Sequence, residues 1–155
     1  MFRFQALPPH PFADLFALSD DELGARHARR VIADRFPGFP CRVSLEDAQP
    51  GETLILAHHL HHDVDSPYRA SGPIFIREHT AMANPPPDTV PVMFRHRLLS
   101  VRGYSEHGHA MRGMEVVAGD SLEAAMERLF SDASVAYLHL HNACPGCYVA
   151  HVQRH

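Results

Sequence analysis

Four side chains able to hold a metal ion or move a proton, His139, His141, Cys144 and Cys147, fall within nine positions around a Pro145-Gly146 turn. On a strand, alternate side chains share a face, so His139 and His141 point the same way and could grip one ion together. Cys144 and Cys147 flank the turn at a spacing that lets two thiolates converge, and zinc is the metal such a set would take, with His139, His141 or His151 completing it. A single Cys-x-x-Cys is only half of a structural zinc site. Cys147 could instead serve as a thiol nucleophile beside a histidine, or the whole stretch could be a hairpin with small cysteines packed against it. Thioredoxin-like use of the cysteines would need a helix after Cys147, and Tyr148–Val152 alternates like a strand. His139, His141 and Cys147 are therefore the catalytic candidates, and His139 and His141 the metal candidates.

Two further clusters have suitable chemistry. His58-His-Leu-His-His-Asp-Val-Asp65 closes a strand-like segment. Alternation pairs His59 with His61 and His58 with His62 on opposite faces, so at most half of the cluster serves one site. The expectation is an exposed stretch of solvated histidines, with His59 and His61 capturing metal adventitiously. The loop Ser66-Pro-Tyr-Arg-Ala-Ser-Gly-Pro73 offers hydroxyls around one guanidinium. Arg69 could clamp a carboxylate or phosphate in bidentate fashion, with Ser66, Tyr68 and Ser71 adding neutral hydrogen bonds. Alternatively, Arg69 ties its own loop to Asp63, Asp65 or Glu78.

The composition narrows the function classes. The chain has 155 residues, 45% hydrophobic and 21% charged, as expected of a single globular domain spanning residues 1–155. All 14 of its Lys-plus-Arg residues are arginines, against 18 acidic residues, so a formal net charge of -4 gives no general attraction to nucleic acid. No run approaches the roughly 18 apolar residues of a membrane span, and the first nine residues lack the apolar core of a signal peptide. Three cysteines do not close a disulfide framework and suit a reducing compartment, so the expected location is the cytoplasm, with neither membrane nor nucleic acid as partner. Fourteen histidines allow a steep response to mild acid.

The elements that must position these residues read as α+β. Phe2 and Phe4 alternate with polar neighbours as a first strand. Ser19 and Glu22 have the spacing of a capping box, predicting a helix that continues from Leu23 towards Arg30 before Pro37-Gly38. Pro40–Leu45, Thr53–Ala57 and Pro73–Glu78 read as strands, and Asn84–Pro91 as a proline-rich surface loop. Asp120 and Glu123 form a second candidate capping box, followed by Leu122, Ala125, Met126, Leu129 and Phe130 on one helical face. Val135–Asn142 and Tyr148–Val152 make a C-terminal β-hairpin. The expected architecture is a mixed, largely antiparallel sheet with two main helices packed on it. There is no Gly-rich phosphate loop, His-Glu-x-x-His helix, internal repeat or coiled-coil heptad.

Leu18-Ser-Asp-Asp-Glu-Leu23, Pro40-Cys-Arg-Val-Ser-Leu45, Asp65-Ser-Pro-Tyr-Arg-Ala-Ser71, Ile74-Phe-Ile-Arg-Glu78 and His139-Leu-His-Asn-Ala143 with Pro145-Gly-Cys-Tyr148 occur in this order along nearly the whole chain. Together they resemble the bacterial domain of unknown function 1203. The resemblance implies no known activity, and it carries over Cys41, Arg42, Ser66, Tyr68, Arg69, His139, His141, Asn142 and Cys147 as a candidate set. The position of Cys144 is often occupied by another residue in that family, which counts against readings that need both cysteines. The leading expectation is a small bacterial protein that binds a polar or anionic small molecule. Its pocket would join the Ser66–Ser71 loop to the His139–Cys147 hairpin end, with Arg42, Ser66, Tyr68, Arg69, Ser71 and Asn142 contacting the ligand. A metal- or thiol-dependent hydrolase-like enzyme and a ligand-free structural or interaction protein are the alternatives.

Overall fold

The computed structural model describes residues 1–155 and divides the chain between two antiparallel sheets. Strands β1 (Phe2–Gln5), β5 (Leu98–Tyr104), β6 (Met111–Ala118), β7 (Tyr137–Asn142) and β8 (Tyr148–Arg154) form the larger one. Its order is β1-β8-β7-β5-β6, which makes β7 the central strand. Strands β2 (Ala28–Ile32), β3 (Thr53–His62) and β4 (Ala70–Arg77) form the smaller one in the order β2-β3-β4. The α+β class, the largely antiparallel pairing and the terminal β7–β8 hairpin match the pattern read from the sequence.

Alternation gives the larger sheet two unlike faces. Leu99 and Val101 of β5, Leu138 and Leu140 of β7, and Val149 and Val152 of β8 pack with Phe2, Phe4 and helix α3 (Leu122–Ser131) in a core of 19 buried residues. The helix buries Leu122, Ala125, Met126 and Phe130, as its spacing predicts. Its expected Asp120–Glu123 capping box is absent, because Glu123 is drawn away to Arg95, and the N-cap residue Ser121 makes no side-chain capping bond. The opposite face carries the intervening residues Ser100, Arg102, Tyr104, Tyr137, His139, His141, Tyr148 and His151, which register side by side across β5, β7 and β8. A second apolar cluster, Phe12, Cys41, Val43, Ile74, Ile76 and Tyr148, joins the two sheets along this side.

Several segments depart from expectation for identifiable reasons. The Ser19 box forms, with Ser19 Oγ accepting from Glu22 N at 3.3 Å and Glu22 Oε2 accepting from Ser19 N at 2.8 Å. However, helix α2, which follows the one-turn helix α1 (His10–Ala13), spans only Asp20–Ala25. His27 takes a positive φ of 54° and reverses the chain, so Ala28–Ile32 becomes a strand paired to β3 rather than a continuing helix. Pro40–Leu45 is a compact turn and not a strand. Only Pro40 and Cys41 make isolated bridges there, and the Cys41 sulfur accepts from the backbone N–H groups of Val43, Ser44 and Arg77. The histidine cluster lies within β3 rather than in an exposed loop. Finally, β5 and β6 went unread, because Ser100, Arg102, Gly103 and Gly113 interrupt their apolar alternation.

Candidate metal centre

His139 and His141 each retain only 3% of their exposure, on the central strand, beneath the end of β3. That end carries a bulge between Leu60 and His62. Strict alternation would send His61 and His62 to opposite faces, whereas the extra residue lets both rings meet the polar face of the larger sheet. His61 stacks on Tyr148 with ring centroids 4.9 Å apart and lies 5.3 Å from His141 and 6.1 Å from His139. His62 lies 4.7 Å from His139 and 4.4 Å from Tyr104. His59, expected to share a site with His61, instead packs edge-on against Phe12.

One ring nitrogen from each of His61, His139 and His141 lies within 4.8 Å of those of the other two. Tetrahedral coordination at zinc–nitrogen distances of ~2.1 Å sets such nitrogens about 3.4 Å apart, so a modest inward rotation of the rings closes the site. His61 Nδ1, His139 Nδ1 and His141 Nε2 are buried with no hydrogen-bond partner. Leaving a buried polar nitrogen unpaired costs about 1–3 kcal/mol, and one such orphan on each of three clustered rings calls for a partner the polypeptide does not supply.

The surroundings also fix which nitrogen is free. A carbonyl oxygen can only accept, so the 2.9 Å contact of His141 Nδ1 with Gly146 O places the ring hydrogen on Nδ1 and leaves the Nε2 lone pair available. Metal-binding histidines are commonly oriented by such a backbone carbonyl. Gly146, at φ 94° in the hairpin turn, belongs to the loop that presents this carbonyl. In the same way, His62 Nδ1 donates to Tyr68 O at 2.7 Å, so its Nε2 accepts from the Tyr137 hydroxyl at 2.7 Å. His62 is thus fully partnered and belongs to the wall of the site.

The electrostatics keep the imidazoles neutral, the form in which they bind metal. Burial pushes His61 down to about 3, with His141 and other neighbouring charges, including Arg102, adding to the effect. Burial likewise holds His141 at about 4, partly offset by its bond to Gly146. His139 is lowered still further by burial and by the surrounding histidines, and burial brings His151 to about 4. Burial raises Tyr104, Tyr137 and Tyr148, Tyr137 to about 12, so the phenols stay protonated.

The other candidates separate. Cys144 is exposed and Cys147 half-buried, and neither joins the histidine group. Cys147 Sγ accepts from Asn142 Nδ2 at 3.0 Å and from Arg42 at 3.4 Å. Arg42, expected to contact ligand, is 1% exposed and donates to the carbonyls of Tyr148 and Pro40, so it braces the fold. Arg69 forms an ion pair with Asp63, the self-contained arrangement considered for this loop. Ser66 Oγ donates to Gly108 O and accepts from Tyr68 N, and Ser71 faces solvent on β4.

The two halves of the expected joint pocket lie at opposite ends of β7. The Ser66–Ser71 loop meets Tyr104, opposite the start of β7, whereas the Ala143–Cys147 turn lies beyond Asn142, opposite Leu99. A cleft of about 440 Å³ lies elsewhere, lined by residues including Ser44, Asp47, Arg77 and His96. Its Arg77 is committed to Glu46 and Glu52, and its Asp47 to Arg97.

Fold and site together define an α+β protein of two antiparallel sheets enclosing a histidine–tyrosine layer. The chain belongs to the family described as protein of unknown function (DUF1203), whose model matches residues 38–154. No curated protein and no solved structure matches it. No helix is long and apolar enough to cross a membrane.

Proposed function

We propose that this protein is a metal-dependent enzyme in which His61, His139 and His141 hold a divalent transition ion, zinc first among them. The observation that supports this most directly is the convergence of three imidazoles from two separate sheets, each carrying a buried, unpartnered nitrogen. Three neutral nitrogen ligands with a fourth position left open are the arrangement of hydrolytic zinc centres, in which the ion polarises a carbonyl or phosphoryl oxygen and activates water near pH 7. The reaction class is therefore metal-assisted hydrolysis, one of the alternatives that the sequence left open. Thiol chemistry at Cys147 draws less support, since its sulfur is engaged by Asn142 and Arg42 and no histidine bonds to it. Three unpaired cysteines favour a reducing, cytoplasmic setting in a bacterial cell for this reading.

The test is metal content, measured by mass spectrometry on untagged protein purified without metal-affinity resin. One equivalent of metal is expected in the wild type and in His59→Ala, and loss of that equivalent in His61→Ala, His139→Ala and His141→Ala. A wild-type protein that is metal-free and does not take up added zinc overturns the reading.

A further inference from the structure

Arg102 stands on β5 directly opposite His139, and Ser100 directly opposite His141. Paired residues of antiparallel strands share a face, so the guanidinium projects onto the same surface as the histidines. It is half-buried, and its Nε donates to Ser100 Oγ at 3.2 Å. None of the ion pairs in the protein includes it. The other arginines on this side are committed elsewhere, Arg42 to backbone carbonyls and Cys147, and Arg69 to Asp63.

The residues of this face on β5, β7 and β8, together with His61 and His62 of β3, contain no aspartate or glutamate. A divalent ion held by three neutral imidazoles keeps its whole double charge, and Arg102 adds a permanent positive charge beside it. No carboxylate on this face offsets that sum, which leaves the role to a bound molecule. A charge left uncompensated in a half-buried site is costly, whereas a guanidinium beside a metal matches an oxyanion with one oxygen on the ion and another on the fork.

Building on the metal reading above, we infer that Arg102 is the anion-recognition residue of the centre and that the substrate carries an oxyanion, phosphate or carboxylate, spanning the ion and this guanidinium. Ser100 acts as a positioning residue, since its hydroxyl holds Nε and so aims the remaining nitrogens of the fork. Tyr104, two residues along β5 on the same face, has its ring 5.5 Å from that of His139 and supplies a neutral hydrogen-bond donor. Anion recognition, expected from the sequence at Arg42 and Arg69, thus passes to a residue on the strand beside the histidines.

The experiment is calorimetric titration of inorganic phosphate and of acetate into zinc-loaded wild type, Arg102→Gln and Arg102→Lys, with zinc stoichiometry and circular dichroism recorded for each. Phosphate or acetate should bind the wild type at least about tenfold more tightly than Arg102→Gln, at equal zinc content, with Arg102→Lys between them. The tighter of the two probes identifies the substrate group as phosphoryl or carboxyl. Equal affinity in wild type and Arg102→Gln, or no binding of either anion up to about 10 mM, overturns the inference while leaving the metal reading intact. If Arg102→Gln does not fold, the comparison with Arg102→Lys decides, and equal affinity there is again fatal to the fork. Should the wild type take no zinc, the metal reading is the one that fails. Titration of the metal-free proteins then decides for Arg102, with Arg102-dependent binding supporting it and its absence overturning it.

Discussion

At the scale of single residues, the centre depends on hydrogen bonds that leave particular lone pairs free. The Tyr137 hydroxyl is the partner of His62 Nε2, so Tyr137→Phe strands a buried acceptor. It should lower the stability of the metal-free protein by about 1–3 kcal/mol in denaturant unfolding, with little change in secondary structure. Arg42 is a different case: a fully buried guanidinium with two carbonyls and a thiol as acceptors, and no carboxylate. Arg42→Met unpairs those carbonyls together and should cost roughly 2–4 kcal/mol in the same assay, while Cys147→Ala, which removes one weak acceptor, should cost less. The shared face of His139 and His141 was legible from alternation. Their third partner was not, because nothing in His58–His62 announces a bulge that turns His61 away from its expected role. Arg102 was hidden for a related reason, in a segment whose small and polar residues masked a strand.

At the scale of elements, one connection presses directly on the wall of the histidine layer. The turn between β5 and β6 carries Gly108 at φ 66°, and a Cβ there would lie 2.7 Å from the Tyr137 hydroxyl and from Val64, and 3.0 Å from His62 Nε2. Gly108→Ala therefore combines backbone strain with a clash at the His62–Tyr137 pair. Its expected cost is about 2–3 kcal/mol, and the melting temperature of the purified variant checks it. Gly72→Ala, at a position on β4 of the smaller sheet with open space around it, should be far milder and serves as the control. Elements whose pattern is local, such as the Ser19 box, helix α3 and the closing hairpin, could be read from the chain. Elements decided by pairing at long range could not. Strand β2 exists because Ala28–Ile32 finds β3, and local helix propensity around Leu23–Arg30 gives no hint of it.

At the scale of the molecule, burying so many imidazoles couples stability to pH. A histidine whose folded pKa lies below its unfolded value of ~6.5 binds fewer protons folded than unfolded, so stability falls as pH drops below ~6.5 and the loss ends near the folded pKa. His141 and His151, at about 4, and His61, at about 3, set a window from about pH 6.5 down to about 4 for the first two and about 3 for His61. Each contributes up to about 1.4 kcal/mol per pH unit there. Thermal melts of metal-free protein should therefore drop steeply between pH 7 and pH 5, before most carboxylates titrate, and a flat profile would contradict the neutral, buried imidazoles. Metal should act in the opposite direction. Zinc at a hundredfold excess over its dissociation constant should add about 2.7 kcal/mol to wild type and nothing to His139→Ala, read as a shift in melting temperature. The three clustered histidines also arrive at very different times as the chain is made. A nascent polypeptide extended as far as α3 holds His61 alone, and the other two emerge only with the β7–β8 hairpin. Under the proposed metal reading, a chain stalled before this hairpin offers one imidazole where the ion needs three, and so has no complete site with which to hold it.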